Sequence, residues 1–203
     1  PYQSMMAELS ERQEQGVEER KKTIESTSWE VTLGDIHVNN IGQLRKLNED
    51  TFPVKYADKF YQEIPTLPKE LAHFAYLGGF VVGAICGRLE SLPNSNKKKL
   101  YIMTIGVLVA YRKAGIGQQL LDYLMNNATK MNDVALIYLH VQTNNESALR
   151  FYSKAGFQRL GKINNYYKRI EPPDCYVLCK RLHCDTPYNE LRSLLGCTSD
   201  EEI

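Results

Sequence analysis

A short basic and glycine-rich turn has the residue types of an anion-binding site. Arg112, Gly115 and Gly117 form the pattern R-x-x-G-x-G between an apolar segment, 100–108, and an amphipathic one, 115–131. Glycine lets the backbone approach an anion closely, and the first turn of a helix offers unpaired N–H groups at the positive end of its dipole. The turn therefore predicts a cradle for a pyrophosphate group.

Two familiar phosphate motifs do not fit this turn. A P-loop requires Gly-Lys-Ser or Gly-Lys-Thr, whereas the residues that follow Gly117 are Gln-Gln-Leu. A dinucleotide-binding fingerprint requires the spacing G-x-G-x-x-G, which is also missing. The pattern thus argues against both of these nucleotide-binding classes.

The elements around the turn predict an α/β fold with a mixed sheet. From residue 100 onward the pattern indicates strand, helix, strand, helix, which implies a parallel strand pair with a crossover helix. Before it, two strands around Gly78-Gly79 indicate a hairpin. The predicted strands are 29–33, 72–76, 80–89, 100–108, 135–141, 157–160 and 174–182, and the predicted helices are 39–48, 59–63, 115–131 and 145–155. We therefore expect a central sheet of about seven strands with flanking helices.

The length fits one domain with extensions. The 203 residues are 43% hydrophobic and 24% charged, with a net charge of +1, and one domain takes roughly 150 residues. Residues 1–28 are rich in charge and predict a flexible N-terminal tail. Residues 29–182 form the predicted domain. Residues 183–203 form a C-terminal tail with a leucine cluster of helical spacing between Leu191 and Leu195.

Charge, hydropathy and cysteine spacing limit the partners. The balanced charge argues against direct nucleic-acid binding, which needs a basic surface. No apolar run approaches the ~20 residues of a membrane-spanning helix, so no membrane association is expected. The five cysteines, at 86, 175, 179, 184 and 197, have no spacing typical of a zinc site. We expect free thiols, no metal, and a reducing intracellular location.

Longer motifs carry a family resemblance. The R-x-x-G-x-G turn resembles the acetyl-CoA signature of the GNAT acyltransferase superfamily, and N-N-E-S-A-x-x-F-Y-x-x-x-G-F at 144–157 resembles a second feature of it. Four more segments are similar to the catalytic subunits of NatE-type N-terminal acetyltransferases: F-P-V-x-Y at 52–56, Y-I-M-T at 101–104, Y-L-H-V-Q at 138–142 and N-Y-Y-K-R-I-E-P at 165–172. The resemblance spans about residues 31–182.

This resemblance implies a GNAT fold, in which a splayed parallel strand pair forms the acetyl-CoA site. It implies transfer of an acetyl group from acetyl-CoA to the α-amine of protein or nascent-chain N-termini, with Met followed by a hydrophobic or other non-small residue. The implied partners are the helical-repeat scaffold subunit of NatA and the ribosome. The implied location is the cytoplasm and also the nucleus.

Three residues are implied to act in catalysis. An α-amine has a pKa of about 7.7–8.0 and must lose a proton to attack a thioester. The resemblance assigns this step to Tyr101 and His140 through an ordered water, with His140 as the base and Tyr101 holding the water or relaying the proton. Tyr152 is implied to serve the leaving thiolate. The alternatives are a histidine satisfied within the core for His140 and a core aromatic beside Phe151 for Tyr152.

The implied acetyl-CoA contacts lie in three places. The pyrophosphate cradle comprises Arg112, Lys113, Ala114, Gly115, Ile116, Gly117 and Gln118. A backbone donor for the thioester oxygen is expected within Ile105, Gly106 and Val107, where Gly106 marks a bulge. Asn145 is implied to contact the pantetheine arm and Tyr152 the thiol, although capping of its helix is an equally good interpretation of Asn145.

The implied peptide groove has two walls. One wall comprises Phe52, Pro53, Val54 and Tyr56, and the other comprises Tyr166, Tyr167 and Ile170, with Met103 beneath. These mostly apolar side chains suit Met followed by a hydrophobic residue, although ordinary surface-loop anchors are an alternative interpretation. Lys55 stands where the family usually has a small residue, which favours an acidic second residue in the peptide.

Two other functions stay open. A GNAT enzyme that acts on lysine or a small amine would share the cofactor site, and activity on internal lysines alone would favour it. A weakly catalytic interaction subunit of a ribosome-bound NatA-type complex is the second, and a failure to bind acetyl-CoA would favour it. The intact set of Arg112, Gly115, Gly117, Tyr101 and His140 argues against a loss of chemistry.

Overall fold

The computed structural model describes residues 30–93 and 95–198. Seven strands of this part form one sheet in the order β1-β2-β3-β4-β5-β7-β6. They are β1 (Val31–Asp35), β2 (Ala72–Leu77), β3 (Phe80–Ser91), β4 (Lys98–Val107), β5 (Val134–Gln142), β6 (Gln158–Ile163) and β7 (Cys175–Arg181). The predicted mixed sheet is thereby confirmed. The predicted tail 1–28 lies outside the described residues, as does Trp29 of the first predicted strand.

Helices flank this sheet. They are α1 (Ile41–Thr51), α2 (Asp58–Glu63), α3 (Ile116–Lys130), α4 (Glu146–Lys154) and α5 (Tyr188–Leu195), with short 3-10 turns at Ile64–Thr66, Lys69–Leu71 and Val109–Tyr111. The four predicted helices are all present, with ends displaced by up to three residues, because helix ends fray and their position depends on the capping geometry. None of the helices in the described ranges is long and apolar enough to cross a membrane.

An apolar layer covers each face of the sheet. On one face, Leu44 and Leu47 of α1 and Tyr61 of α2 pack with Phe74 of β2. On the other face α3 buries the positions whose spacing predicted it, namely Ile116, Leu120, Leu121, Leu124 and Ala128. Strands covered on both faces are apolar along most of their length, and β3, β4 and β5 follow this rule. The two layers thus hold the central strands in place from both sides.

The parallel pairing of β4 with β5 ends early. It runs from the pair Lys98–Val134 to the pair Tyr101–Tyr138. Beyond these residues the described ladders join β4 to β3 and β5 to β7, but not β4 to β5. The two strands therefore diverge and open the sheet at its centre. This is the splayed parallel pair that the family resemblance implies.

A β-bulge lies in β4 at the start of this divergence. Consecutive residues of β3, Cys86 and Gly87, pair with Thr104 and Ile102 of β4. Met103 between them has no opposite residue, so the backbone of β4 bends and twists there. The bend coincides with the point at which β4 leaves β5.

Gly106 does not mark the bulge. It pairs in regular register with Ala84 of β3, and a Cβ on it would approach the ring of Phe52 to 3.1 Å. The expectation of a bulge at Gly106 is therefore wrong. Glycine at this position avoids tight contacts, because Thr51 and Phe52 pass close to the strand.

The C-terminal residues pack on the outer strand β6. Leu191 and Leu195 of α5 are buried in one cluster with Leu160 of β6. Further along, the Thr198 N–H donates to the Lys162 carbonyl oxygen and the Lys162 N–H donates to that of Thr198, both at 3.0 Å. The leucine cluster predicted in the tail 183–203 thus docks on the sheet and shields an edge strand, which would otherwise present unpaired backbone groups.

The cysteines of the described residues are free thiols. Cys184 is partly exposed and the other four are buried. Burial raises the pKa of Cys86, Cys175 and Cys179 to about 12, so these thiols keep their protons at neutral pH. Within residues 30–93 and 95–198, no group of three or more His, Cys, Asp or Glu side chains is placed to hold a metal ion.

Replacing Leu191 by alanine tests whether the C-terminal helix is part of the folded domain. Leu191 is fully buried, so the Leu191→Ala variant should lose about 3 kcal/mol of unfolding free energy, because it loses apolar burial and leaves a cavity. Urea unfolding measures this change. The control is Ser193→Ala on the exposed side of the same helix, which should unfold at the parent's midpoint. Equal midpoints for all three proteins would contradict the prediction.

Candidate active site

One cavity opens where β4 and β5 diverge. It has a volume of about 420 Å³, and the loop 52–56 and the loop 164–174 between β6 and β7 contribute to its walls. All residues predicted for the peptide groove line it: Phe52, Pro53, Val54, Tyr56, Met103, Tyr166, Tyr167 and Ile170. The two predicted walls therefore bound a single cavity.

Three side chains meet inside this cavity. The hydroxyl oxygen of Tyr101 lies 3.2 Å from Nδ1 of His140, and the hydroxyl oxygen of Tyr166 lies 3.3 Å from the same nitrogen. The two hydroxyl oxygens are 3.5 Å apart. A neutral imidazole that carries its proton on Nε2 accepts at Nδ1, so either phenol can donate to it. The structure brings the predicted pair together and adds Tyr166 to it.

The strand register explains this meeting. Tyr101 is opposite Tyr138 in the last pair of the parallel ladder, and side chains two residues apart on a strand share a face. His140, two residues after Tyr138, therefore lies on the same face of the sheet as Tyr101, just beyond the last pair of the ladder. The ring of Tyr166 stacks on the imidazole at 4.4 Å between centroids and an interplanar angle of 20°, which holds His140 from the loop side.

Burial sets the protonation of this cluster. It lowers the pKa of His140 to about 4, an effect that Glu90 opposes and Lys99 reinforces. Burial also raises the pKa of Tyr101 above its usual range, and Tyr166 adds to this. At neutral pH the imidazole is therefore uncharged and the phenol keeps its proton. A proton acceptor and a proton relay need these states.

Tyr152 and Asn145 line the same cavity from α4 and its first turn. Tyr152 also packs in the core, 5.1 Å from Phe151 and 5.5 Å from Phe157 between ring centroids, and burial raises its pKa above the usual range. Asn145 Oδ1 accepts the Ala148 N–H at 3.1 Å and thereby caps α4. Asn145 thus caps its helix and Tyr152 is a core aromatic, and both residues also line the cavity.

The predicted anion cradle consists of the first turn of α3 and the loop before it. Lys113 and Gly115 adopt left-handed backbone conformations, with φ of +67° and +78°. As the N-cap residue, Gly115 provides no side-chain hydrogen bond, so no cap side chain competes with an anion for the first N–H groups of α3. Arg112 Nε donates to the Val107 carbonyl oxygen at 3.0 Å and ties this loop to the end of β4.

Several cradle residues can offer a ligand their backbone more readily than their side chains. Ile116 is buried in the core, and Gln118 Nε2 donates to Asp122 Oδ1 at 2.8 Å. A Cβ on Gly117 would lie 3.8 Å from the ring of Phe151, so the first turn of α3 packs beside α4. Because Gly117 has no side chain, space is left between the first turn of α3 and α4.

The predicted cofactor residues fall into two groups. Ile105 lines the cavity together with the residues predicted for catalysis and peptide binding, whereas Gly106, Val107 and the segment 112–118, including Ala114, lie outside its lining. An elongated ligand with a reactive group at one end and phosphates at the other would contact both groups. The arrangement suits the ligand class that the turn predicted.

A model of the acetyltransferase (GNAT) family matches residues 41–157. This range runs from α1 to just beyond α4 and includes the diverging strands, the cradle and the Tyr101–His140 pair. The chain belongs to the GNAT acetyltransferase family. The fold and the family predicted from the motifs are thereby confirmed.

Relatives of this GNAT domain match it over nearly their whole length. The chain is 46% identical over 164 residues to N-alpha-acetyltransferase 50 of Danio rerio, which amounts to 80% of this chain and 96% of that protein. It is 45% identical over 161 residues to "Probable N-acetyltransferase san" of Drosophila melanogaster, at 79% and 86% coverage. The solved structure of Arabidopsis thaliana Naa50 with the bisubstrate analogue CoA-Ac-MVNAL has a TM-score of 0.69 at 46% identity and covers 74% of this chain and 97% of that one.

Sequence reasoning missed two contacts of the GNAT site. The motifs place Tyr166 in the peptide wall only, although its hydroxyl reaches His140. No local pattern predicts a contact between a loop and a distant strand. Gln142 Nε2 donates to the Pro172 carbonyl oxygen at 2.8 Å and fixes the loop 164–174 to β5. A polar residue at the end of an apolar strand is the signal that could have indicated this second contact.

A titration of His140 tests the electrostatics of the site. Because burial disfavours the charged imidazole, its NMR resonances should change with a midpoint near pH 4 and stay constant between pH 6 and 8. By linkage, the unfolded chain binds this proton first, so His140 makes the domain less stable as the pH falls below its unfolded pKa of about 6.5. The His140→Ala variant assigns the resonance. A midpoint at or above 6.5 would contradict the prediction.

Proposed function

We propose that this protein is an acetyl-CoA-dependent N-terminal acetyltransferase that acts on protein N-termini beginning with Met followed by a hydrophobic or other non-small residue. The observation that carries this proposal is the contact between Tyr101, His140 and Tyr166 inside an apolar cavity at the diverging strands. The relatives named N-alpha-acetyltransferase 50 and Naa50 support it.

The chain has a suitable place for each part of acetyl-CoA. The N–H groups at the start of α3, together with Arg112, would hold the pyrophosphate, since the helix is not capped by a side chain. Asn145 and Tyr152 on the cavity wall would contact the pantetheine arm and the thiol. Acetyl-CoA supplies an acetyl group activated as a thioester. Of the predicted backbone donors for its oxygen, Ile105 is the one beside the cavity.

The side chains of the cavity can move the protons that the reaction requires. An α-amine with a pKa of about 7.7–8.0 is partly protonated at neutral pH, and the uncharged His140 can accept its proton through a water held by Tyr101. Tyr152 keeps its phenolic proton because burial raises its pKa, so it can donate to the leaving sulfur. The same chain thus provides a proton acceptor for the amine and a hydrogen-bond donor for the leaving sulfur, and both line one cavity.

The cavity lining favours a particular peptide. Phe52, Val54, Met103 and Ile170 offer apolar contacts to a Met side chain and a hydrophobic second residue, and Tyr167 adds a hydroxyl for the peptide backbone. The loop 164–174 is fastened to β5 through Gln142. A groove closed on this side admits a chain end more readily than a lysine in the middle of a peptide.

A peptide panel tests the proposed function. A peptide with a free Met-Leu N-terminus should be acetylated, whereas the same peptide with a blocked N-terminus and an internal lysine should not, as measured by acetyl-CoA consumption. The His140→Ala variant should turn over roughly 10²-fold or more slowly and bind acetyl-CoA like the parent. Activity on the blocked lysine peptide alone would favour the lysine enzyme. An absence of any thermal shift with acetyl-CoA would favour the interaction subunit.

Lys55 provides a test of specificity within the proposed function. It lines the cavity between Val54 and Tyr56, so we propose that its charge favours an acidic second residue. The Lys55→Glu variant should lose about fivefold in kcat/KM for Met-Glu relative to Met-Leu peptides, since exposed ion pairs contribute up to about 1 kcal/mol. The control Lys59→Glu makes the same charge change at an exposed position of α2 and should leave the ratio unchanged. An unchanged ratio in Lys55→Glu would exclude this role.

The finer partners and the location are also part of the proposal. We propose the helical-repeat scaffold subunit of NatA and the ribosome as partners, and the cytoplasm together with the nucleus as the location. The support is the resemblance to NatE-type acetyltransferases in the motifs 52–56, 138–142 and 165–172. A substrate that is a nascent-chain N-terminus would be met at the ribosome.

A further inference from the structure

A group of charged side chains lies beside the catalytic cluster and has no role in the proposed reaction. Glu90 is at its centre, on β3. Its Oε1 accepts from Arg88 Nη2 at 2.7 Å, and its Oε2 accepts from the Tyr138 hydroxyl at 2.5 Å and lies 3.6 Å from Lys99 Nζ. Both oxygens of one partly buried carboxylate thus have partners, and one partner is a tyrosine of the catalytic strand.

Tyr138 connects this group to the catalytic residues. Its ring centroid lies 5.0 Å from that of Tyr101 and 5.9 Å from that of His140. Tyr138 is opposite Tyr101 in the ladder and two residues before His140, so all three rings share one face of the sheet. Arg88 lies 5.8 Å from the Tyr101 ring centroid, so the charged group reaches both tyrosines.

We propose that Glu90 and Tyr138 form a positioning pair, in which the hydrogen bond between them fixes the Tyr138 ring against which Tyr101 and His140 are aligned. This inference rests on the proposed function and deepens it. Neither residue touches the reacting atoms. They act through the two residues that do, at the point where β4 and β5 lose their mutual hydrogen bonds and side-chain contacts must hold the geometry.

The charges around the pair support this role. Burial works against ionisation of Glu90, but the Tyr138 hydrogen bond and the pairing with Arg88 together lower the pKa of the carboxyl group, so Glu90 remains a charged and strong acceptor. The groups that influence or contact His140 among the described residues are Glu90 of β3, Lys99 and Tyr101 of β4, Tyr138 of β5 and Tyr166 of the loop. Glu90 is the one that favours a protonated His140.

Steady-state kinetics of two variants test the proposal. Tyr138→Phe removes the hydrogen bond and keeps the ring, and Glu90→Gln removes the charge and keeps the shape. Each should lower kcat by about tenfold, because small displacements of catalytic groups cost rate, while KM for the peptide and for acetyl-CoA stays within twofold. The double variant should lose no more than the more impaired single one, since one substitution removes and the other weakens the same hydrogen bond.

Glu63→Gln is the matched control. Glu63 of α2 also pairs with Arg88, at 3.4 Å, but it has no contact with Tyr138 among the described hydrogen bonds. This variant makes the same chemical change to the same cluster and should keep the parent's kcat. An equal loss in Glu63→Gln would show that general packing of the cluster matters, and it would overturn the proposal.

A readout that does not depend on activity separates this proposal from the proposed function. The ¹⁵N shift of His140 Nδ1 at neutral pH reports its hydrogen bonds with Tyr101 and Tyr166. It should move toward the value of a free imidazole nitrogen in Tyr138→Phe and Glu90→Gln and stay in place in Glu63→Gln. If the parent acetylates no N-terminal peptide but these shifts occur, the function fails and the positioning pair stands. Unchanged shifts and unchanged kcat in both variants would overturn the pair.

Discussion

The end of the β4–β5 hydrogen-bond ladder is the constraint on which the rest of this structure depends. Up to the pair Tyr101–Tyr138 the two strands are bonded to one another, and beyond it each is bonded to its outer neighbour alone among the described ladders. The bulge at Met103 bends β4 at the same place. A mixed sheet with this defect has a cavity at its centre, lined by side chains from strands that are otherwise rigid.

The position of these side chains in a buried cavity determines their protonation states. Side chains there lose solvation, so burial disfavours every charged form: the imidazole of His140 stays neutral and the phenols of Tyr101 and Tyr152 keep their protons. An acceptor and donors therefore exist together at neutral pH, with the Arg88 guanidinium 5.8 Å from the ring centroid of Tyr101. Glu90, the carboxylate that favours a charged His140, lies on β3 and is itself neutralised by Arg88 and Lys99.

The sequence predicted the elements and much of the site, and the reasons it did so differ. The sequence predicts helix α3 because five apolar positions recur at helical spacing, and all five are buried in the core. It predicts the cradle because one arginine and two glycines stand between an apolar strand and an amphipathic helix. The sequence places the bulge at the wrong residue, because the glycine at position 106 relates to packing and not to a bulge. A Cβ at this position would lie 3.1 Å from the ring of Phe52. Contacts such as Tyr166 with His140 and Glu90 with Tyr138 join distant segments, and single-sequence periodicity carries no information about such pairs.

Strands and loops both contribute residues to the site, and contacts with the sheet hold the loop 164–174 in place. The loop 164–174 carries Tyr166 and Tyr167, and Asp174 at its end pairs with Lys162 Nζ at 2.7 Å. Lys162 in turn exchanges backbone hydrogen bonds with Thr198, so the C-terminal segment braces the strand from which this loop departs. Gln142 holds the other side. These contacts restrain the loop 164–174 at both of its sides, so a loop residue, Tyr166, can hold a 3.3 Å contact with His140 on the strand β5.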